Sequence, residues 1–338
     1  MGFLIRRWFW SEASRNKFGT ACGRAVARIR DSLRNRCLPG THYVYMVRKN
    51  QILRLKSLII TYKPTKIPQT KLRSSPLLPV PLRPMKLTLL GTGTSQGIPV
   101  IGCDCAVCTS TDPRDKRLRC AALLETDTET LVIDVGPDFR QQMLREGVTQ
   151  LDAALITHDH NDHIIGLDDI RPFNFRQHSD LPVYAEPRVQ KVLLQRFEYV
   201  FAENKYPGAP SVQLRSLSPS EGLKIGETDV QVIRVQHGSL PIVGFRFGKL
   251  AYLTDVKSLP EEELVKLQGL KILITSALHH YPHHSHMNME EATAFAQRVG
   301  AERTYFIHLS HHAGQHAELE QTLPPNIFLG YDGLSLQF

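Results

Sequence analysis

His158, His160, Asp162 and His163 stand within six residues as H-x-H-x-D-H. Imidazole nitrogens and carboxylate oxygens are ligands for divalent transition metals. The run follows AALIT (153–157), an apolar stretch that reads as a buried strand. On extended backbone, residues two apart point to the same side. His158 and His160 can therefore grip one ion, while Asp162 and His163 turn towards a second. A second group, Cys103, Cys105 and Cys108, is spaced C-x-C-x-x-C. Three soft thiolates this close favour one tetrahedral zinc. The alternative, a disulfide with a spare thiol, needs an oxidising compartment. No secretory signal supports one, since Arg6 and Arg7 interrupt the early apolar run. Three thiolates leave one position for a ligand from elsewhere in a chain with 15 histidines. Cys22, Cys37 and Cys120 lack such spacing and read as ordinary thiols.

Strands must position these groups. LVIDV (131–135) and AALIT end in polar residues, at the carboxyl edge where α/β sites gather. KLTLLGTGTSQGIP (86–99) reads as a buried strand and a tight loop. Its third glycine, Gly97, comes one residue late for G-x-G-x-x-G, and no Lys-Ser/Thr follows, so a nucleotide loop is excluded. VIRVQH (232–237), LAYLTD (250–255) and RTYFIH (303–308) are further strand-like runs ending in His237, Asp255 and His308. MNMEEATAFAQRVG (287–300) reads as a helix capped by Asn288, just after a run holding His279, His280, His283, His284 and His286.

Asp134, the H-x-H-x-D-H run and the later His and Asp residues resemble the metallo-β-lactamase-fold hydrolases over 85–338. The GTGTSQGIP loop, the C-x-C-x-x-C run and HLSHH (308–312) are similar to the branch containing the phosphoribosyl 1,2-cyclic phosphate phosphodiesterase of the carbon–phosphorus lyase pathway. The resemblance implies an α/β fold, an αββα sandwich with its metal site at one edge. It implies that His158, His160 and His237 hold one ion, that Asp162, His163 and His308 hold another, and that Asp255 bridges them. Asp134 would orient ligand histidines from behind. His311 would complete the thiolate site, with His312 and His316 as competitors. His286 would protonate the leaving oxygen, and Asp162 would aim the attacking water besides binding metal. Two divalent cations, Mn2+ or Zn2+, and one structural Zn2+ follow as cofactors. The expected enzyme is a dinuclear metal-dependent hydrolase of a small, linear or cyclic phosphodiester. Arg171, Phe173, Asn174, Phe175, Phe201 and Tyr206 are candidates for the pocket wall, Arg171 as a phosphate partner or a structural ion pair.

Charge divides the chain. Residues 1–84 carry 18 Lys/Arg against only Glu12 and Asp31, leaving 23 basic and 31 acidic residues in 85–338. The formal charge of +8 therefore says nothing about the partner of the larger segment. Residues 1–84 are expected to be a basic, unstructured extension, with short helical or strand-like pieces at 20–36 and 51–62, or to precede a true start at Met85. A targeting segment is the further alternative. Residues 85–338 are expected to be the hydrolase domain. No apolar run approaches the roughly 18–20 residues of a membrane span. The expected setting is cytoplasmic, with no membrane or nucleic-acid partner and with a homodimer allowed. Competing readings are an RNA 3′-processing nuclease, for which no gripping insertion is evident between 163 and 237, and a thioester or lactone hydrolase. A relative of pyrroloquinoline quinone biosynthesis protein B and a metal-storage or nucleic-acid-binding module without turnover complete the set.

Overall fold

The computed structural model describes residues 85–338 and, before them, β1 (Val47–Arg48) and β2 (Gln51–Ile52), which pair as an antiparallel hairpin. The chain divides into two units, Met1–Leu77 and Leu78–Phe338. The piece expected at 51–62 meets the described residues only at β2. The piece at 20–36 and the rest of the expected extension lie outside them.

Two seven-stranded sheets carry the second unit. The first runs β16 (Ser335–Gln337), β3 (Lys86–Gly91), β4 (Ala121–Glu125), β5 (Thr130–Ile133), β6 (Ala153–Leu155), β7 (Leu181–Ala185), β8 (Val212–Ser216). The second runs β15 (Ile327–Leu329), β14 (Arg303–Ile307), β13 (Ile272–Ser276), β12 (Leu250–Leu253), β11 (Leu240–Phe247), β10 (Thr228–His237), β9 (Leu223–Ile225). Each sheet is antiparallel in one half and parallel in the other, from β5 to β8 and from β12 to β15.

Alternation along the strands sorts the apolar side chains into layers. Leu87, Leu89, Leu131 and Ile133 face Phe245, Tyr252, Ile274 and Ile307 in the core between the sheets. Leu90, Val132 and Ala154 point the other way, onto Phe139, Phe173, Val189 and Leu193 of the helices outside the first sheet. Ala251, Leu253 and Leu273 do the same for the second sheet, packing on Met289, Ala292 and Ala296 of the helix Met289–Val299. The result is helix, sheet, sheet, helix, the expected αββα sandwich. Strands buried on both faces need near-continuous apolar sequence, which is why LVIDV and AALIT read as they do. Each fully buried Leu, Ile or Phe side chain contributes about 1.5–3 kcal/mol. That reserve lets the strand ends adopt conformations chosen for chemistry.

The helix Met289–Val299 starts where Asn288 predicts. The Asn288 side chain accepts from Glu291 N (2.8 Å), and the Glu291 carboxylate accepts from Asn288 N (2.9 Å). Gly300, at φ 66°, closes it. The cap fixes the exit of the histidine-rich run, and Met287 N donates to Val256 O (2.8 Å) beside Asp255. Among the described residues no helix is long and apolar enough to cross a membrane.

Candidate metal centres and their cleft

Three strand ends share one backbone feature. Asp134, Asp255 and His308 follow β5, β12 and β14 with φ of 64°, 57° and 59°. Non-glycine residues enter this left-handed region at a cost of order 1–3 kcal/mol. Here it turns side chains from three strands towards one another over the carboxyl edge. The H-x-H-x-D-H run is held there by its backbone: Val135 N donates to His163 O, and Asp134 N to Leu155 O. Gly136 makes this approach feasible, since a Cβ on it would lie 2.1 Å from Asp162 O.

Asp134 is wholly buried behind the H-x-H-x-D-H run. Its Oδ1 accepts from Thr157 N (2.8 Å), and its Oδ2 from the Thr157 hydroxyl (2.8 Å) and His163 Nδ1 (2.7 Å). With its one proton on Asp134, the Thr157 oxygen accepts from His158 Nδ1 (2.9 Å). His237 Nδ1 donates to Ser285 O (2.8 Å). In a neutral ring these partners place the proton on Nδ1 and leave Nε2 as a lone pair. Each such partner fixes the tautomer and aims the ring. Thr254 repeats the device, its buried hydroxyl donating to Asp255 Oδ2 (2.6 Å).

The lone pairs converge on other lone pairs. His163 Nε2 lies 3.2 Å from Asp162 Oδ2 and 3.3 Å from Asp255 Oδ2, and His308 Nε2 lies 2.9 Å from Asp255 Oδ1. His158 Nε2, His163 Nε2 and both His308 nitrogens are buried without a hydrogen bond. Unprotonated nitrogens facing carboxylate oxygens repel unless a cation sits between them. Ligands about 2.0–2.2 Å from one tetrahedral ion are themselves roughly 3.3–3.5 Å apart, so these spacings fit a metal. Ligand atoms of His158, His160 and His237 form one group within 4.8 Å, those of Asp162, His163 and His308 another, and those of His158, His163 and Asp255 a third. His237, Asp255 and His286 form a fourth that the sequence did not suggest.

The electrostatics also call for positive charge. Burial opposes an imidazolium at His163, yet Asp134, Asp255 and Asp162 outweigh it and raise its pKa well above the usual value. Burial opposes the Asp255 carboxylate, yet His308 and His163 hold it well below the carboxylate range. His286 is pushed down to about 2 by burial and then by His308, on which it stacks at 4.6 Å. His286 Nδ1 is buried and unpartnered, 3.8 Å from Asp255 Oδ1.

Cys103, Cys105 and Cys108 surround one histidine nitrogen. Their Sγ atoms lie 3.3, 3.5 and 3.6 Å from His311 Nδ1. A tetrahedral zinc with bonds of about 2.3 Å to sulfur and 2.0–2.1 Å to nitrogen spaces S and N by roughly 3.5 Å. The four residues therefore fit the ion. The Cys105 thiol is lowered to about 6 by the Cys108 backbone N–H and then by His311, whereas burial pushes Cys108 up to about 11. His316 belongs elsewhere: its Nδ1 meets Arg117 (3.0 Å), and its backbone N donates to Asp115 (2.7 Å).

A cleft of about 330 Å³ opens over both clusters, with His286 and His308 at one end and His311 at the other. His279 and His283 of the histidine-rich run line it, as do Ser95, Gln96 and His312. None of the six expected wall residues does. Arg171 is a structural ion pair with Asp168 (2.6 Å), Phe173 is buried in the helical layer, and Asn174, Phe175 and Tyr206 line a separate cleft of about 350 Å³. Phe201 packs against the outer core. Phe173 and Phe201 are taken up by packing, while Phe175 and Tyr206 stand exposed beside the other hollow. Thr157 and Thr254 were missed as site residues. Their signal was present, since a threonine directly precedes His158 and Asp255 in sequence.

The description beta-lactamase superfamily domain fits residues 129–309, more than half the chain. The chain belongs to that superfamily. Its fold is the metallo-β-lactamase fold, and the family places it among hydrolases. It is 41% identical to a new diphosphatase from the PhnP family, with a TM-score of 0.72 over 76% of this chain and 98% of that one. It is 43% identical over 252 residues to an octanoyltransferase of Porphyromonas gingivalis, covering 74% of this chain. This chain spans about half, 51%, of that relative's length. Zn(2+)-bound PqqB from Methylobacterium extorquens shares the fold, with 19% identity and a TM-score of 0.60 over 75% of this chain and all of that one. Relatives with this fold thus hold zinc.

Proposed function

We propose that this hydrolase is a dinuclear metal-dependent phosphodiesterase acting on a small, linear or cyclic phosphodiester. The carrying observation is the ring of bare imidazole nitrogens and carboxylate oxygens 2.9–3.3 Å apart around Asp255. His158, His160 and His237 would hold one divalent ion and Asp162, His163 and His308 the other, with Asp255 between them. Either Mn2+ or Zn2+ suits these donors, and the thiolates with His311 would hold a structural Zn2+. When bound, such a pair supplies Lewis acidity and a nucleophile at neutral pH.

The chain's own residues supply orientation and proton transfer. The Asp162 carboxylate accepts a hydrogen bond from the attacking water and aims it at phosphorus. His286 turns Nδ1 inward to Asp255, which leaves Nε2 for the cleft. A proton held at Nε2 passes to the departing oxygen, a contribution of roughly 10²–10⁴-fold. The substrate is then a small molecule, with no membrane or nucleic-acid partner, and the setting is cytoplasmic.

Diphosphate cleavage is the second reading, favoured by the 41% identity to the PhnP-family diphosphatase. It uses the same attack on phosphorus with a phosphate as the leaving group. Octanoyl transfer is disfavoured because the matched segment is only 51% of the protein that bears that name. The test is a screen of the metal-loaded chain against bis(4-nitrophenyl) phosphate, a ribosyl cyclic phosphate, a diphosphate diester and an octanoyl thioester. Chelator-sensitive cleavage of the phosphorus substrates is expected. Cleavage of the thioester alone would overturn the proposal.

A further inference from the structure

Two members of the H-x-H-x-D-H run take no part in the ligand groups. His158, His160, Asp162 and His163 supply ligand atoms, while Asp159 and Asn161 stand between them in sequence. One helix, Pro187–Arg196, takes up both. Arg188, in its first turn, donates from Nη1 to Asp159 Oδ1 (2.6 Å), and Arg196, its last residue, donates to Asn161 Oδ1. Neighbours on extended backbone point to opposite sides. A strand end that sends His158 and His160 to the cluster therefore sends Asp159 away from it, onto this helix.

The same helix also reaches the second sheet. Glu186, its N-cap residue, receives two bonds from the Arg234 guanidinium (2.8 and 2.5 Å). Arg234 lies in β10, three residues before His237. Arg188 turns its other terminal nitrogen to Pro241 O (3.5 Å), and Pro241 lies opposite Gln236, the neighbour of His237. These ties matter because two sheets have to share one ion. His158 and His160 follow β6 in the first sheet, and His237 ends β10 in the second, yet their ligand atoms lie within 4.8 Å of one another. The backbone joins the sheets here through Val243 N and Thr157 O (3.2 Å). A bond at one point sets a separation but not an angle. Two side-chain bridges from the start of one helix set both. The Arg188 and Asp159 side chains are 38% and 17% exposed, and ion pairs this open to water add little to stability. Their place behind the ligands speaks for orientation instead.

We propose that Arg188 with Asp159, and Glu186 with Arg234, are positioning residues. They make the start of this helix a strut that holds the His158 and His160 pair at a fixed separation from His237, and so sets the affinity of the ion these three would share. The proposal rests on the dinuclear reading and adds a part of the fold that assembles one of its two sites.

The experiment titrates zinc into the metal-free full chain against chromophoric chelators of graded affinity. Arg188→Met and Asp159→Ala should each weaken one ion by about 10-fold, the low end of the loss that follows removal of a partner behind a metal ligand. The double variant should be no weaker than either single one, because all three break the same bridge. Glu186→Gln should weaken the same ion through the other bridge. In the cobalt-loaded chain, the thiolate-to-metal charge-transfer band reports Cys103, Cys105, Cys108 and His311, and it should not move. The unfolding temperature of the metal-free chain should stay close to that of wild type. Unmoved zinc affinity in the single variants, losses that add in the double variant, or loss of the cobalt–thiolate band along with the ion would overturn the strut. A wild-type chain that bound zinc at the thiolates alone would instead sink the dinuclear reading.

Discussion

Thr157→Val removes one buried hydroxyl and almost no volume, so it separates orientation from packing. In the native chain that hydroxyl donates to Asp134 Oδ2 (2.8 Å) and receives His158 Nδ1–H (2.9 Å). Asp134 keeps its bonds from Thr157 N and His163 Nδ1, so the carboxylate stays in place. His158 loses the only partner that fixes which nitrogen carries the proton, and its N–H is left buried at a cost of about 1–3 kcal/mol. Part of that cost falls on the fold. The remainder appears as weaker metal binding, because a ring free to flip presents Nε2 for only part of the time. Loss of such an outer hydrogen bond lowers metal affinity by about 10- to 100-fold. The assay is zinc competition against a chromophoric chelator, run beside thermal unfolding with and without metal. Thr157→Ser, which keeps the hydroxyl, should restore most of the affinity. Unchanged zinc affinity in the valine variant, with only the metal-free unfolding temperature lowered, would show that Thr157 supports the strand and not the imidazole.

Asp162→Asn should abolish turnover while the chain stays folded by circular dichroism, because Asp162 lies outside every apolar layer; residual activity above about one per cent of wild type would contradict its role. Cys105→Ser should lower the unfolding temperature and reduce the metal content from about three ions per chain to about two at saturating metal, since a structural zinc contributes folding energy. A wild-type chain that bound only two ions, with its thiols open to a thiol reagent, would refute the thiolate site. His286→Ala should cost one or two decades more on a ribosyl leaving group than on nitrophenolate, since only the poor leaving group needs a proton; equal losses, or the loss of an ion, would make His286 a ligand, as its group with His237 and Asp255 permits.

The apolar strand runs and their polar ends were legible because period and composition report burial directly. Asn288 capped its helix as expected, because a side chain bonding its own backbone is local information. The αββα layering followed from the resemblance to the metallo-β-lactamase-fold hydrolases. Three features lay beyond the sequence for stated reasons. The left-handed φ of Asp134, Asp255 and His308 is imposed by tertiary packing on residues that do not prefer it. β16 pairs with β3, and Ser335 lies opposite Thr88, a contact between the two ends of the second unit that no local pattern encodes. The cleft wall was misplaced because Phe175 and Tyr206, although exposed, sit beside a different hollow.

His308 connects these observations. It follows β14 in a strained conformation, has both nitrogens buried without a hydrogen bond and stands three residues before His311. Leu309 between them bonds Thr92, and Ala277 N holds Ile307 O on the other side. Strain of order 1–3 kcal/mol at one residue is small against the roughly 10–16 kcal/mol a structural zinc can provide. A zinc held by Cys103, Cys105, Cys108 and His311 would therefore fix the His308 side chain and the cleft wall together. On that account the thiolate loop is more than a staple on an extension. With zinc bound it would act as the outer buttress of the histidine and carboxylate cluster, bracing both edges of one cleft at once.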